Sequence, residues 1–353
     1  MNAAETKQFF MNSLTSTFFS AGIAIGSNLN LFDKLLQLDS PVTCNEFAIK
    51  CDLKERYIRE WLGLMVSGRV ISVDGSEDED KYFLSEDQKT GIKESGKVMI
   101  LTELANKFIE HSDKLISCFK PDGPRGITHE TYDSNGAFDL LGKFRSLADS
   151  SAEQDAIIKQ VPGLKEKLET GNYKVLEIGC NRGHNLISFA KMFPKSTFVG
   201  QDLTSEGIME AKKMSANMEN VTFSVQDACV KSETDDESFD WILTCDVIHD
   251  LPYPDKALKE AFRILKKGGY LSIVDINCHT RHSQNKDNMV APFVYGNSLL
   301  HCLPMSYSLP DSAGLGASWG IEKAQEMFKD SGFELYGKFP MPDDFEMYYV
   351  LSK

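Results

Sequence analysis

Val175-Leu-Glu-Ile-Gly-Cys-Asn-Arg-Gly183 joins a short apolar run to two glycines four residues apart, with an acid, Glu177, inside the run. Gly179 can take a turn with positive φ and Gly183 removes the side chain where a helix begins, so backbone can come close to a ligand. Asn181 stands between them, and asparagine tolerates left-handed backbone best after glycine. Three more acids close apolar runs: Asp202 after Phe198-Val-Gly-Gln201, Asp227 soon after Val221-Thr-Phe-Ser-Val225, and Asp246 after Cys245. Asp202 lies 19 residues past Gly183, where a carboxylate can accept hydrogen bonds from both hydroxyls of a ribose. Asp227 can accept from an exocyclic amine such as that of adenine. Val247-Ile-His249-Asp250 then supplies an imidazole that titrates near neutrality and can take a proton from a hydroxyl, thiol or amine, with Asp250 or a neighbouring carboxylate to orient it. The chemistry implied is a nucleoside-type ligand held beside a proton acceptor.

Such groups converge only if a fold lines up the runs that carry them. From Lys174 onward strand and helix patterns alternate, with strands expected at 174–178, 197–201, 221–225, 240–245, 270–275, 333–339 and 346–352. This order predicts a mostly parallel α/β sheet, with the last two strands forming an antiparallel hairpin turned by Pro340-Met-Pro-Asp-Asp344. Residues 1–95 read as helices followed by a short ribbon. Leu31, Phe32, Leu35 and Leu36 share one helical face, and Ile58, Trp61, Leu62 and Met65 another. Val70–Val73 and Lys81–Leu84 read as the two ribbon strands, linked by the acidic stretch Asp74–Asp80. Residues 96–169 read as a helical connector, with helices over Met99–Phe119 and Lys143–Lys167 separated by the helix breaker Pro121-Asp-Gly-Pro-Arg-Gly126. Residues 277–320 form a long insertion, expected to cap an acceptor pocket on mobile glycines.

Composition narrows the partners. The 353 residues carry a net charge of −14, which disfavours nucleic acid and acidic membrane, since both are bound by neutralising phosphates with Lys and Arg. Residues 1–100 alone hold 11 basic against 15 acidic side chains, a net of −4. The eight cysteines show no paired spacing and read as reduced thiols of a cytosolic protein. No apolar run reaches the roughly 20 residues of a membrane span. His279, His282 and His301 lack the HExxH spacing, so no metal site is expected. The expected partner is a small molecule.

Residues 170–353 resemble a class I S-adenosylmethionine-dependent methyltransferase. Val175–Gly183 matches the glycine-rich first motif, Asp202 the acidic end of the second strand, and Asp227-Ala228 the adenine motif. Ala261-Phe-Arg-Ile-Leu-Lys-Lys-Gly-Gly-Tyr-Leu-Ser-Ile273 matches the helix, glycine turn and fifth strand of that family. The first 95 residues resemble the winged-helix domain with which small-molecule O-methyltransferases dimerise. The resemblance implies a Rossmann-like seven-stranded sheet, methyl transfer from S-adenosylmethionine to a small organic acceptor at oxygen, and a homodimer. It implies cofactor contacts from Glu177, Gly179, Cys180, Asn181, Gly183, Asp202, Leu203, Asp227, Ala228 and Asp246, with His249 and Asp250 as the catalytic pair. Leu251 stands where that pair is often followed by Trp. Tyr132, Phe138, Tyr295, His301 and Trp319 are candidates for the acceptor pocket. The alternative reading is a regulator whose winged helix binds DNA while the α/β domain senses a metabolite.

Overall fold

The computed structural model describes residues 1–75, 79–146, 150–342 and 345–353. Parts of the acidic link 74–80, of the helix expected over 143–167 and of the turn 340–344 lie outside the described residues. The chain divides into two compact units, residues 1–110 with 133–147, and residues 111–132 with 148–353. The connector is thus shared between them. Its expected long helices are shorter pieces, among them Gly96–Ile109, Ser112–Cys118 and Leu164–Thr170.

In the first unit, the helices Leu31–Leu36, Cys44–Cys51 and Glu55–Ser67 pack around Phe32, Leu35, Phe47, Trp61, Leu62 and Met65. Thr43 and Glu46 form a reciprocal capping box that starts the second of these helices. Three short strands, β1 (Val42–Thr43), β2 (Ser72–Asp74) and β3 (Lys81–Phe83), pair antiparallel in the order β1-β3-β2. The ribbon foreseen from sequence therefore gains a third strand. The helix Ala3–Asn28 leaves Phe9, Phe10 and Phe18 more than half exposed.

In the second unit the expected strands form a seven-stranded sheet: β4 (Lys174–Ile178), β5 (Thr197–Asp202), β6 (Val221–Val225), β7 (Phe239–Cys245), β8 (Leu265–Ile276), β9 (Glu334–Pro340) and β10 (Glu346–Ser352). Their order is β6-β5-β4-β7-β8-β10-β9, with β10 antiparallel to both neighbours and the other pairs parallel. Side chains alternate between two cores. Val175, Trp241 and Leu243 face one, while Leu176, Ile242 and Ile273 face the other, and all six are fully buried. Each such side chain contributes about 1.5–3 kcal/mol by leaving water. Within the core Trp241 donates Nε1–H to Ser272 Oγ at 2.8 Å, and Ser272 meets the Tyr348 hydroxyl at 2.7 Å.

Strand β8 begins at Leu265, five residues before the expected position. Lys266–Gly269, read from sequence as a turn, bulges within the strand, because the pairing to β7 shifts between Phe239 and Trp241. Among the described residues no helix is long and apolar enough to cross a membrane.

Candidate active site

The strand order reverses at β4, which has β5 on one side and β7 on the other. A crevice at the carboxyl ends of the strands opens at such a reversal, and ligands bind there. Gly179 leaves β4 at this point with φ +72°, and a Cβ on it would lie 2.3 Å from Val247 Cγ2. Only glycine lets the chain after β7 come this close. Asn181 adopts φ +47°, the left-handed conformation foreseen for it. Its N–H donates to Asp202 Oδ2 at 2.7 Å, so the tip of β5 fastens the glycine turn at the tip of β4.

Asp202 also accepts from Thr204 N–H at 2.8 Å and Thr204 Oγ1–H at 2.6 Å, both on Oδ1. A carboxylate has about four acceptor positions, so one remains on Oδ2. Asp202 thus keeps an acceptor position beyond those its own loop uses. Asp227 Oδ1 accepts from Cys229 N–H at 2.8 Å, which leaves its second oxygen for an amine. Leu203 is 62% exposed beside Asp202, an apolar surface open to a flat ring. Glu177 is buried, and Asn185 Nδ2–H donates to its Oε1 at 2.9 Å. Asn185 is itself held by Gln154, whose Nε2–H donates to Asn185 Oδ1 at 2.9 Å and whose Oε1 accepts from Ser188. Burial, then Glu177 and Asp202, push the Cys180 thiol far up, so it packs as a neutral group.

On the other side of the reversal, the short turn Ile248–Asp250 buries His249. His249 Nδ1–H donates to Asp275 Oδ1 at 2.7 Å, while Nε2 lies 3.3 Å from Asp250 Oδ1. Asp275, at the tip of β8, is fully buried, and its Oδ1 also accepts from Trp319 Nε1–H at 3.1 Å and from its neighbour Ile276 N–H at 2.8 Å. Burial opposes charge on the His249 ring, but Asp250 and Asp275 outweigh it and raise its pKa well above the ordinary value. Asp246, in the left-handed region at φ +51°, lies in the same cluster.

The insertion contributes the remaining wall. A π-helical stretch, Ser298–Cys302, buries both His301 and Cys302, and such stretches occur often at functional sites. Burial lowers His301 to about 4, and burial followed by Asp250 raises the Cys302 thiol to about 12. His301 meets the Tyr132 ring edge-on at 4.9 Å. Glycines of this insertion also admit close packing: a Cβ on Gly320 would lie 2.2 Å from the Thr280 backbone.

The structure therefore brings Tyr132, His301 and Trp319 around the His249 cluster. Tyr295 instead accepts from Asn285 Nδ2–H and meets His282 edge-on, and Phe138 belongs to the first unit. Sequence reasoning missed Asp275, Cys302, Asn185 and Gln154. Asp275 carried a signal, since it is an acid closing the apolar run Leu271–Val274, as Asp202 closes its own. His249 with Asp250 and Cys302, and His249 with Asp246 and Asp275, bring donor atoms within 4.8 Å of one another. Both ring nitrogens of His249 face carboxylates.

The domain model "Methyltransferase domain" matches residues 169–332, and "Rv2258c-like winged HTH domain" matches residues 17–92. Residues 169–332 are a methyltransferase domain. The chain is 34% identical over 104 residues to the fatty-acid O-methyltransferase of Mycolicibacterium smegmatis, covering 29% of this chain and 36% of that protein. It is 28% identical over 151 residues to the ubiquinone biosynthesis O-methyltransferase of Pelagibacter ubique, covering 43% and 61%. The chain thus spans between about a third and three fifths of the length of these curated relatives. Among solved structures, mitomycin 7-O-methyltransferase aligns with a TM-score of 0.72 at 15% identity, covering 99% of this chain and 98% of that one. Human N-acetylserotonin methyltransferase in complex with S-adenosylmethionine aligns with a TM-score of 0.71 at 12% identity, covering 100% and 99%. The methyltransferase domain and the winged helix thus share a fold with these proteins.

Proposed function

We propose that this chain transfers a methyl group from S-adenosylmethionine to a small organic acceptor, at oxygen. One observation carries the reading: the tips of β4, β5 and β6 present a glycine turn, Asp202 and Asp227 in sequence along one edge, beside the strand-order reversal. The residues fit the cofactor. Gly179 turns with positive φ against Val247, so the cofactor edge there would be backbone, Asp202 keeps one acceptor position for a ribose hydroxyl, and Asp227 keeps an oxygen for the adenine amine. Leu203 and Ala228 would flank the base, and Glu177, Cys180, Asn181, Gly183 and Asp246 would hold the methionyl end. When bound, the sulfonium supplies an activated methyl, so much of the rate comes from aligning the acceptor with it. The cluster around His249 and Asp250 handles the acceptor's proton. Titration calorimetry with S-adenosylhomocysteine tests the cofactor assignment, and absence of binding at millimolar concentration overturns it.

The winged-helix domain is assigned to homodimerisation in the cytoplasm. The exposed Phe9, Phe10 and Phe18 on one helix support an apolar contact with a second copy, and the net charge of −4 over residues 1–100 opposes contact with DNA phosphates. A monomeric mass by light scattering overturns the first assignment. Salt-sensitive retention of random duplex in a gel shift overturns the second and favours the regulator.

A further inference from the structure

The methyl-transfer reading gives no work to Cys302, which the π-helical stretch Ser298–Cys302 buries beside His249 and Asp250. A ring nitrogen of His249, a carboxylate oxygen of Asp250 and Cys302 Sγ all lie within 4.8 Å of one another. His249 Nε2 and Asp250 Oδ1 are 3.3 Å apart. Two such donors bound at about 2.0–2.1 Å to one tetrahedral ion are separated by about 3.3–3.4 Å, so this pair already has the spacing of a zinc site. The matching edge to sulfur is about 3.6 Å, which asks the thiol to move by about 1.2 Å at most. The surroundings are those of a metal site's outer shell. His249 Nδ1–H donates to Asp275 Oδ1 at 2.7 Å, and a metal-ligating histidine almost always gives its other N–H to such an acceptor, which fixes the tautomer. Trp319 and Ile276 hold Asp275 in turn. Asn297 Nδ2–H donates to Cys302 Sγ at 3.4 Å, a contact that favours the thiolate. Asp250 Oδ1 and Asp275 Oδ2 are both buried and accept no hydrogen bond among the described residues, so negative charge here calls for a cation. The same field raises the affinity of the His249 ring for a proton, and a divalent ion answers it with twice the charge. The Asp250 side chain is 24% exposed, which gives an ion a way in from solvent.

We propose that His249 Nε2, Asp250 and Cys302 Sγ bind a divalent cation of the zinc class, and that this ion inhibits methyl transfer. On binding, the thiol proton and any proton on Nε2 pass to solvent, and bonds form from the ion to sulfur, nitrogen and oxygen. Three protein donors leave a fourth position for water. Sulfur and imidazole select against magnesium and calcium, which take oxygen. Sequence spacing around His279, His282 and His301 gave no reason to expect the site, since its three donors meet only in the fold. The inhibition rests on the methyl-transfer reading, because the ion covers the nitrogen beside which the acceptor's proton is handled. The binding does not.

The first test needs neither cofactor nor acceptor. Cobalt(II) is the probe, because a thiolate ligand gives it a sulfur-to-metal charge-transfer band and tetrahedral geometry gives it intense d–d bands. In the reduced full-length protein both should saturate at one equivalent, and zinc should abolish them while excess magnesium does not. Cys302→Ser should lose the charge-transfer band. Asp275→Asn, which alters only the outer shell, should weaken zinc by about 10- to 100-fold in competition with a chromogenic chelator, and Asp250→Asn should weaken it further. Cys118→Ser, at a half-buried thiol outside the cluster, should change nothing. No charge-transfer band in the wild type, or a band that survives Cys302→Ser, overturns the site. If Cys302→Ser fails to fold, zinc affinity unaltered in both Asp250→Asn and Asp275→Asn overturns it equally. The second test is kinetic, with an acceptor drawn from a library screened with labelled methyl donor. Zinc should stop turnover and a chelator restore it, and Asp275→Asn should need about 10- to 100-fold more zinc for the same fractional loss of its own metal-free rate. Full turnover with the site saturated overturns the inhibitory role. Should the metal-free wild type turn over nothing in the library, the methyl-transfer reading fails, and the cobalt spectra still decide the site.

Discussion

At the tips of β4, β5 and β6 the candidate site is made of backbone and half-exposed acids, whereas at the tips of β7 and β8 it is made of side chains that are mostly buried. The first region is assembled from neighbours in sequence: Gly179, Asn181 and Gly183 shape one turn, and Asp202 grips it with one carboxylate oxygen. The second is assembled across distance, with His249, Asp275, His301 and Trp319 drawn from a strand tip, a short turn and a long insertion. One side is suited to a ligand shared by many proteins, because backbone geometry does most of the recognition. The other sets its own protonation, so small changes there alter chemistry more than affinity.

This contrast can be broken in four ways. Gly179→Val should have the largest effect, because it combines left-handed backbone with a contact to Val247; about 4 kcal/mol of stability should be lost, with binding of S-adenosylhomocysteine abolished in calorimetry. A variant that binds normally would mean the backbone does not shape the cofactor edge.

The acceptor side should respond to acid instead. His301 titrates at about 4 in the fold, below its ordinary 6.5, so the unfolded chain binds that proton more readily. Its contribution is therefore full above about pH 6.5 and is lost as pH falls towards 4, by roughly 3 kcal/mol. Urea unfolding at pH 7 and pH 4.5 should show this drop in the wild type and a smaller one in His301→Gln. Equal drops would remove the buried ring as the cause.

Asp202→Asn replaces an acceptor with an amide that faces the donors of Asn181 and Thr204. Cofactor affinity should fall by about 2 kcal/mol, or roughly 30-fold, with little change in kcat at saturation. A fall in kcat alone would blur the division between the two regions. The smallest effect should come from Trp319→Phe, which removes one of three donors on Asp275. It should cost about 1 kcal/mol of stability by urea unfolding and leave cofactor affinity untouched.

Legibility in sequence follows the same division. The left-handed Asn181 was readable because φ preference belongs to a residue and its immediate neighbours. The strands of the sheet were readable because alternate faces bury in two cores and leave long apolar runs. Asp275 pairs with a histidine 26 residues away, and Gln154 with Asn185 31 residues away, contacts that only the folded sheet creates. The bulge at Lys266–Gly269 was read as a turn because its two glycines and two lysines suit either form. Gly320 admits the close approach of the Thr280 backbone, a contact that its sequence neighbours do not announce.

The π-helical stretch at Ser298–Cys302 has an evolutionary corollary. Such a stretch is an α-helix that has gained one residue, and in an α-helix each residue turns the next by about 100°. Removing a single codon there would rewind the coil and swing His301 and Cys302 off the Asp250 cluster while the sheet and its cofactor edge stayed intact. Relatives that differ by one residue at this point are therefore where a change of acceptor should first be sought.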